Sequence, residues 1–293
     1  MMKRKRKDTL FAWFTILPAL SIQVVFIYAP LIWAFFISFF RWNMIRPMRF
    51  VGLANYERMF TRAEFWDSLR ITFIYVLGTV PTSIFIGLGL ALLMNMEWLK
   101  FKGLFRTAFY IPVITAMAAA AVIWSWIFEP SYGFLNWFLS LFGIEGVGWL
   151  SDPDYSLQAL MIVGVWKRIG YNMVLFLAGL QVIPKTLYEV ADIDGASKFS
   201  KFLNITWPLL SPTTLFVVIL QFIASFRVFV SVSVMTQGGP SKSTRVITYY
   251  LYQQAFENMK FGYSSAIAVF MFGLMLIFTI LQFKASKRRT FYK

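Results

Sequence analysis

Six long apolar runs separated by short polar connections constrain this chain more than any other feature. They lie near residues 11–40, 70–95, 106–128, 157–182, 211–235 and 262–284. A helix needs about 20 apolar residues to cross a hydrocarbon core. Backbone facing lipid must satisfy its own N–H and C=O groups, so each run is expected to be helical. The expected fold class is all-α, a polytopic membrane protein with six transmembrane helices. With 59% hydrophobic and 14% charged residues in a chain of 293, there is no room for a large soluble domain. The expected organisation is a basic N-terminal segment (1–10), one membrane domain (11–284) and a basic tail (285–293). The first run exceeds what a bilayer requires, so it is expected to tilt, to protrude, or to begin with an interfacial stretch at 11–17. It lacks the short apolar core and small-residue cleavage site of a signal peptide. Pro30, Pro81 and Pro112 fall inside runs and are expected to kink them.

The sequence holds no cysteine and no histidine. That removes disulfides, Cys or His metal ligands and histidine acid–base chemistry. The formal charge of +15 does not point to nucleic acid, because the basic residues cluster at the edges of the apolar runs. Placing the N-terminus inside puts Lys3, Arg4, Lys5, Arg6, Lys7, Lys100, Lys102 and Arg106 on the cytoplasmic side. Lys185, Lys198, Lys201, Lys284, Lys287, Arg288, Arg289 and Lys293 join them. The outer connections hold Arg41, Arg46, Arg49, Arg58, Arg62, Lys242, Arg245 and Lys260, so the ratio is sixteen to eight. Both termini and the 184–210 connection are therefore expected in the cytoplasm. The five arginines of the first outer connection run against this trend.

The 184–210 connection is itself patterned. Pro184 and Thr186 suit a helix start, and Thr186-x-x-Glu189 matches a capping box. Leu187, Val190 and Ala191 share one helical face, with Glu189 and Asp192 on another. Gly195 suits a helix stop, Phe199, Phe202 and Leu203 form a second short stripe, and Pro208 is expected to mark the boundary of the next apolar run. Two short helices between spans make a knob projecting from the bilayer, and such a knob needs a partner.

This stretch is similar to the cytoplasmic loop of ATP-binding cassette (ABC) importer permeases. Their pattern runs Glu-Ala-Ala, three residues, Gly, nine residues, Ile, any residue, Leu-Pro. The spacing matches at Glu189, Ala191, Gly195, Ile205 and Pro208, while Val190 and Trp207 depart from it with apolar character kept. Further fragments resemble the branch that imports sugars: Phe176-Leu177-Ala178-Gly179-Leu180-Gln181-Val182-Ile183-Pro184, Asp194-Gly195-Ala196-Ser197, Met235-Thr236-Gln237-Gly238-Gly239-Pro240 and Gly52-Leu53-Ala54-Asn55-Tyr56. The resemblance implies a permease subunit in a bacterial plasma (inner) membrane that does no chemistry itself. It implies a second homologous permease subunit, two copies of a nucleotide-binding ATPase and an extracytoplasmic solute-binding protein. A heterodimer is the expected arrangement, and a homodimer stays open. ATP and Mg would sit on the ATPase; no Gly-rich loop ending in Gly-Lys-Ser/Thr occurs here. On this resemblance the ATPase-coupling residues are Leu187, Tyr188, Glu189, Val190, Ala191, Asp194, Gly195 and Pro208. The first five would dock, Glu189 as charged anchor, and Gly195 would form the bend.

Charges inside spans are costly and usually face water or protein. Lys167 and Arg168 lie midway along the fourth run and Arg227 in the outer half of the fifth, with no carboxylate in either. Trp166, Tyr171, Asn172, Gln221, Ser225 and Phe229 lie nearby in sequence, and aromatic faces with amides and hydroxyls suit a sugar or related polyol or uronate. These residues are the candidate substrate path; the competing reading has the cations facing carbonyls, partner-chain acids or a hydrated vestibule. Ala116 and 118–121, with Gly87 and Gly89, are expected to permit close helix approach. Two other functions place different demands on the spans. An ion-gradient-driven secondary transporter needs titratable carboxylates within the spans, and none is expected there. An intramembrane enzyme needs a carboxylate pair or a Ser–Lys dyad at membrane depth, and no clear pair presents itself.

Overall fold

The computed structural model describes residues 2–287. Arg288, Arg289 and Lys293 of the expected basic tail lie outside the described residues. About three-quarters of the described residues are helical. α1 (Met2–Gln23) passes through a π-helical turn (Val24–Tyr28) into α2 (Ala29–Ile37). An antiparallel ribbon follows, β1 (Phe40–Arg41) paired with β2 (Arg49–Phe50). Next come α3 (Ala54–Thr61), α4 (Ala63–Asn95), α5 (Lys102–Ile114), α6 (Met117–Ile127) and α7 (Phe134–Ser140). After α8 (Pro153–Gln181) come α9 (Lys185–Ile193), α10 (Lys198–Lys201), a second π-helical turn (Phe202–Thr206) and α11 (Trp207–Leu209). The chain continues with α12 (Ser211–Phe226), α13 (Val230–Met235), α14 (Ile247–Tyr252), a third π-helical turn (Gln253–Glu257) and α15 (Phe261–Lys287).

Five stretches are long and apolar enough to cross a membrane: Trp13–Ile37, Ala63–Asn95, Pro153–Gln181, Ser211–Met235 and Phe261–Ala285. A sixth requires α5 and α6 together, and these meet at a bend of 101°. The third expected span is thus broken rather than kinked. The break falls at Thr115 and Ala116, both extended with ψ near 136° and 131°, while Pro112 stays inside α5. Pro81 likewise lies within an uninterrupted α4, and Pro30 stands just after the π-helical turn inside the continuous helical stretch Trp13–Ile37.

Two spans start earlier than the hydropathy suggested. α4 begins at Ala63 rather than 70, and α8 at Pro153 rather than 157. The second shift has a clear cause: Asp152 caps the helix, its carboxylate accepting from the Asp154 N–H at 2.9 Å, with Pro153 in the first turn. These starts carry Glu64, Asp67 and Asp154 into helices that were expected to be free of acid. The fifth run is interrupted at 227–229, between α12 and α13.

The chain divides into two compact units. The first takes the chain through Ala63 together with Leu251–Leu274. In it, Asn55 donates to the carbonyls of Ser38 and Phe40 at 2.8 and 2.9 Å, fixing α3 against the ribbon. A Cβ at Gly262 would overlap the carbonyl oxygen of Phe40, so only glycine lets α15 start this close to β1.

The second unit takes Glu64–Tyr250 and the chain from Met275. One of its apolar clusters joins Tyr75, Leu160, Val232, Val246 and Tyr249 across α4, α8, α13 and α14. Thr72 and Thr79 are fully buried on α4, each hydroxyl bonded to a carbonyl one turn back at 2.7 Å. The Thr72 oxygen also accepts from the Ile247 N–H at 2.8 Å, tying α14 to α4. α5 lies along α8, and a Cβ at Gly170 would overlap the Phe109 carbonyl oxygen. Gly87 approaches Asn172 as expected, but Gly89 faces open space; the two differ because they lie on different faces of α4. Ala120 and Ala121 of the alanine stripe are buried, whereas Ala116, Ala118 and Ala119 are exposed.

Gly170→Ala is expected to destabilise the folded chain by about 1–3 kcal/mol, the usual cost of overpacking. Gly89→Ala is expected to leave stability unchanged or raise it by up to ~1 kcal/mol. Thermal unfolding of the detergent-solubilised variants distinguishes the two sites.

Candidate functional site

The 184–210 connection folds into a braced two-arm knob. Its first arm, α9, begins after Pro184, which stands in extended backbone at the N-cap without a side-chain cap. The expected capping box therefore does not form. Thr186 already lies inside the helix, and the capping position is held by a residue whose ring accepts no hydrogen bond. Gly195 ends the helix as expected, at φ 72°. The Ala196 N–H reaches the Ala191 carbonyl at 2.8 Å and the Gly195 N–H that of Asp192 at 3.1 Å, the two bonds of a Schellman turn. Asp194 is the exposed C-cap residue.

Ser197 starts the second arm, its hydroxyl accepting from the Ser200 N–H at 3.2 Å. This arm is not one regular helix: α10 gives way to the π turn and α11. Pro208 consequently falls inside α11 rather than at the boundary of the next span, which the turn at Leu210 provides. Two contacts brace the arms. Lys201 pairs with Asp192 at 2.5 Å, and the hydroxyls of Tyr188 and Thr206 meet at 2.9 Å. Tyr188, expected to help form the docking face, is half-buried and turned inward to hold the arms together.

No residue of α9 is buried. Leu187, Val190 and Ile193 are 41%, 57% and 86% exposed, and on the second arm Phe199 is 71% exposed. Ala191 is half-buried, while Glu189 is exposed and makes no ion pair or hydrogen bond among the described residues. Beside this face, Leu187, Asn204, Ile205 and Pro208 line a groove of about 440 Å³. Ile193 and Phe199 are the functional candidates that sequence reasoning missed or left unassigned. Their exposure was the missing signal, because a three-residue spacing alone does not say which side of a short helix is covered.

The intramembrane candidates separate into two sets. Lys167 donates to the carbonyls of Pro112, at 2.5 Å, and Thr115, the last acceptors before the break between α5 and α6. Arg168 donates to Gly164 of its own helix at 3.0 Å and to Ala224, in the last turn of α12, at 3.3 Å. Each cation thus meets carbonyls that a helix end leaves without an intrahelical partner, where the helix dipole also favours positive charge. Both residues line a cavity of about 190 Å³ with Tyr75, Met117, Phe229 and Ser231. Tyr75, Met117 and Ser231 carried no sequence signal, being ordinary residues of apolar runs.

The remaining candidates lie elsewhere. Asn172 and Gln221 are buried and bonded to each other at 2.6 Å, joining α8 to α12. Ser225 is buried and accepts from Thr79 at 3.3 Å. Trp166 packs edge-on to Trp124, Tyr171 is half-buried, and Arg227 is exposed at the break after α12. None of these six lines the cavity that Lys167 and Arg168 share. Among the described residues, no group of acidic side chains is arranged to hold a metal ion.

Comparison with known proteins gives this architecture a context. A family model described as binding-protein-dependent transport system inner membrane component matches residues 65–291. The chain is 38% identical over 289 residues to the trehalose/maltose transport system permease protein MalF of Thermococcus litoralis, covering 98% of this chain and 97% of that one. It is 35% identical over 274 residues to the sulfoquinovosyl glycerol transport system permease protein SmoG of Agrobacterium fabrum, covering 93% and 89%. Among solved structures it matches a chain of a bacterial ABC transporter involved in the import of the acidic polysaccharide alginate. That match has a TM-score of 0.83 and 20% identity over 98% of both chains, a likeness of fold. With the model covering most of the sequence and close relatives covering nearly all of it, this chain belongs to the family of binding-protein-dependent transport system inner membrane components.

Proposed function

We propose that this chain is one of two permease subunits of an ABC importer for a sugar, oligosaccharide or related polyol or uronate, driven by a separate ATPase that grips the 184–210 knob. The chain itself is a multi-pass inner-membrane permease subunit. The carbohydrate class is supported by relatives named for trehalose/maltose, sulfoquinovosyl glycerol and lactose transport. A neighbouring structure of the same fold is described in complex with an alginate pentasaccharide-bound periplasmic protein, which supports an extracytoplasmic binding protein as the source of solute. The gradient-driven alternative draws no support from these relatives. Counting α5 and α6 as one crossing gives six, consistent with both termini and the knob on the cytoplasmic side.

The observation that carries the coupling role is the uncovered apolar face of α9. Fully burying an exposed apolar side chain of this size is worth roughly 1.5–3 kcal/mol, and a partner would gain that share of it which Leu187, Val190 and Ile193 still expose, 41%, 57% and 86%. A hydrogen bond to the charged Glu189 adds about 1.5–3 kcal/mol. The apolar face therefore supplies most of the grip, and Glu189 sets its direction. The Schellman turn at Gly195 and the Asp192–Lys201 and Tyr188–Thr206 contacts make the knob stiff enough to transmit movement. Solute would pass the cavity at Lys167 and Arg168, where Tyr75 and Phe229 offer aromatic faces and Ser231 a hydroxyl.

Two results are expected. In proteoliposomes holding the complete transporter, Val190→Asp or Ile193→Asp should release the ATPase on purification. Glu189→Ala should weaken its coupling about tenfold, the equivalent of ~1.4 kcal/mol. Unchanged binding-protein-stimulated ATP hydrolysis in all three would exclude the knob as the point of coupling. Separately, Lys167→Met should cost about 1–3 kcal/mol of stability by leaving helix-end carbonyls unpaired, and lower assembly and uptake together. Uptake lost with assembly and thermal stability intact would instead show that the Lys167 ammonium contacts the solute directly rather than serving the helix-end carbonyls.

A further inference from the structure

The first unit contains a polar site distinct from the knob and from the Lys167–Arg168 cavity. Arg41, Arg46, Arg49 and Arg58 line one cavity of about 640 Å³, with Trp42 and Tyr263 in its wall. No carboxylate lines it, and none of these four arginines pairs with an acid among the described residues.

The fold builds this concentration of charge deliberately enough to be read residue by residue. The ribbon register sets Arg41 directly opposite Arg49. Like charges facing each other across a strand pair are destabilising unless something neutralises them. Asn43 shapes the turn between the strands, its side-chain oxygen accepting from the N–H groups of Ile45 and Arg46 at 3.2 and 2.9 Å. Met44 in that turn takes a positive φ of 62°. Arg58 is held over the Tyr263 ring, 5.1 Å from its centroid. Three separate devices therefore deliver guanidinium groups to one cavity, and an anion from outside the chain is needed to balance them.

The surroundings say which anion. The apolar stretch Trp13–Ile37 ends just before the ribbon, and the stretch Phe261–Ala285 begins at the cavity wall, so the cavity lies where membrane gives way to water. The same segment exposes Met44, Ile45, Met48, Phe50 and Leu53. A soluble anion has no use for exposed apolar side chains on the segment that carries the arginines, whereas a phospholipid presents a phosphate beside its apolar chains at this depth. Trp42 in the wall suits the same interface. We infer that this cavity binds the headgroup phosphate of an anionic phospholipid, its phosphate oxygens taken in bidentate fashion by the arginines. On the proposed orientation, this also accounts for the arginines of the first outer connection, which oppose the overall charge asymmetry; that point alone depends on the orientation.

The test uses the complete transporter, stripped of lipid in detergent and supplied with phosphatidylglycerol, phosphatidylcholine or inorganic phosphate. Native mass spectrometry reads bound lipid and thermal unfolding reads its effect. The wild type should retain phosphatidylglycerol in preference to phosphatidylcholine and unfold at a higher temperature with it. Arg41→Gln/Arg49→Gln should reduce that retention roughly tenfold, as loss of bidentate phosphate contacts implies. Without anionic lipid this variant should be at least as stable as the wild type, because the facing charges are gone. Arg46→Gln, which leaves the strand pair untouched, should reduce retention on its own and decides the matter if the double variant fails to fold. Arg62→Gln, on the same segment but outside the cavity, should change nothing. Equal retention by the wild type, the double variant and Arg46→Gln would overturn the inference. So would an equal preference for phosphatidylcholine, or an equal thermal shift with inorganic phosphate.

Discussion

Where a membrane helix breaks, its last carbonyls have no water to turn to, and much of this structure follows from how that need is met. α5 stops at Ile114 and α12 at Phe226, both within apolar runs. Adjacent residues of α8 meet both ends: Lys167 donates to the Pro112 and Thr115 carbonyls, and Arg168 to that of Ala224. Unsatisfied backbone at this depth would cost several kcal/mol per group, so the two cations make the breaks tolerable. They do so without a carboxylate nearby, because a helix C-terminus is already the negative partner. α8 thereby becomes the element on which the second unit is organised. α5 lies along it through Gly170, α12 is joined to it through Asn172 and Gln221, and its Leu160 sits in the apolar cluster with Tyr75 and Tyr249.

The knob solves the opposite problem. It stands outside the bilayer with apolar side chains uncovered, so it is shaped by hydrogen bonds and ion pairs within itself rather than by burial. A Schellman turn and an Asp192–Lys201 pair fix its two arms, leaving Leu187, Val190 and Ile193 for a partner. Such an exposed apolar surface marks an interaction site, which on the proposed function the ATPase covers. The arginine cavity of the first unit follows the same logic with charge in place of apolar area: four guanidinium groups are gathered without internal compensation, and the balance comes from outside the chain.

How much of this could be read beforehand depended on the range of the interaction. Gly195 as a helix stop was legible, because a left-handed residue after an amphipathic turn is a local requirement. The capping box at Thr186 is not formed, since the helix starts two residues earlier, with Pro184 extended at the N-cap. The cluster of Trp166, Tyr171, Asn172, Gln221, Ser225 and Arg227 dispersed. Closeness in sequence along a helix places residues on every face, and only packing decides which face meets a cavity. The break at Thr115 and Ala116 went unseen for a related reason: neither residue is a helix breaker, and the carbonyls it frees are satisfied by a lysine 52 positions away.

The sequence by itself determined that the chain crosses a membrane repeatedly as helices, and that a patterned polar connection lies between its fourth and fifth apolar runs. Composition, run length and charge at run edges suffice for that, because the bilayer acts as a solvent on each segment separately. Tertiary structure alone decided which helices are broken, what Lys167 and Arg168 bind, which side of α9 is bare and which arginines share a cavity. Those outcomes depend on contacts between residues remote in sequence, and no local pattern encodes the partner.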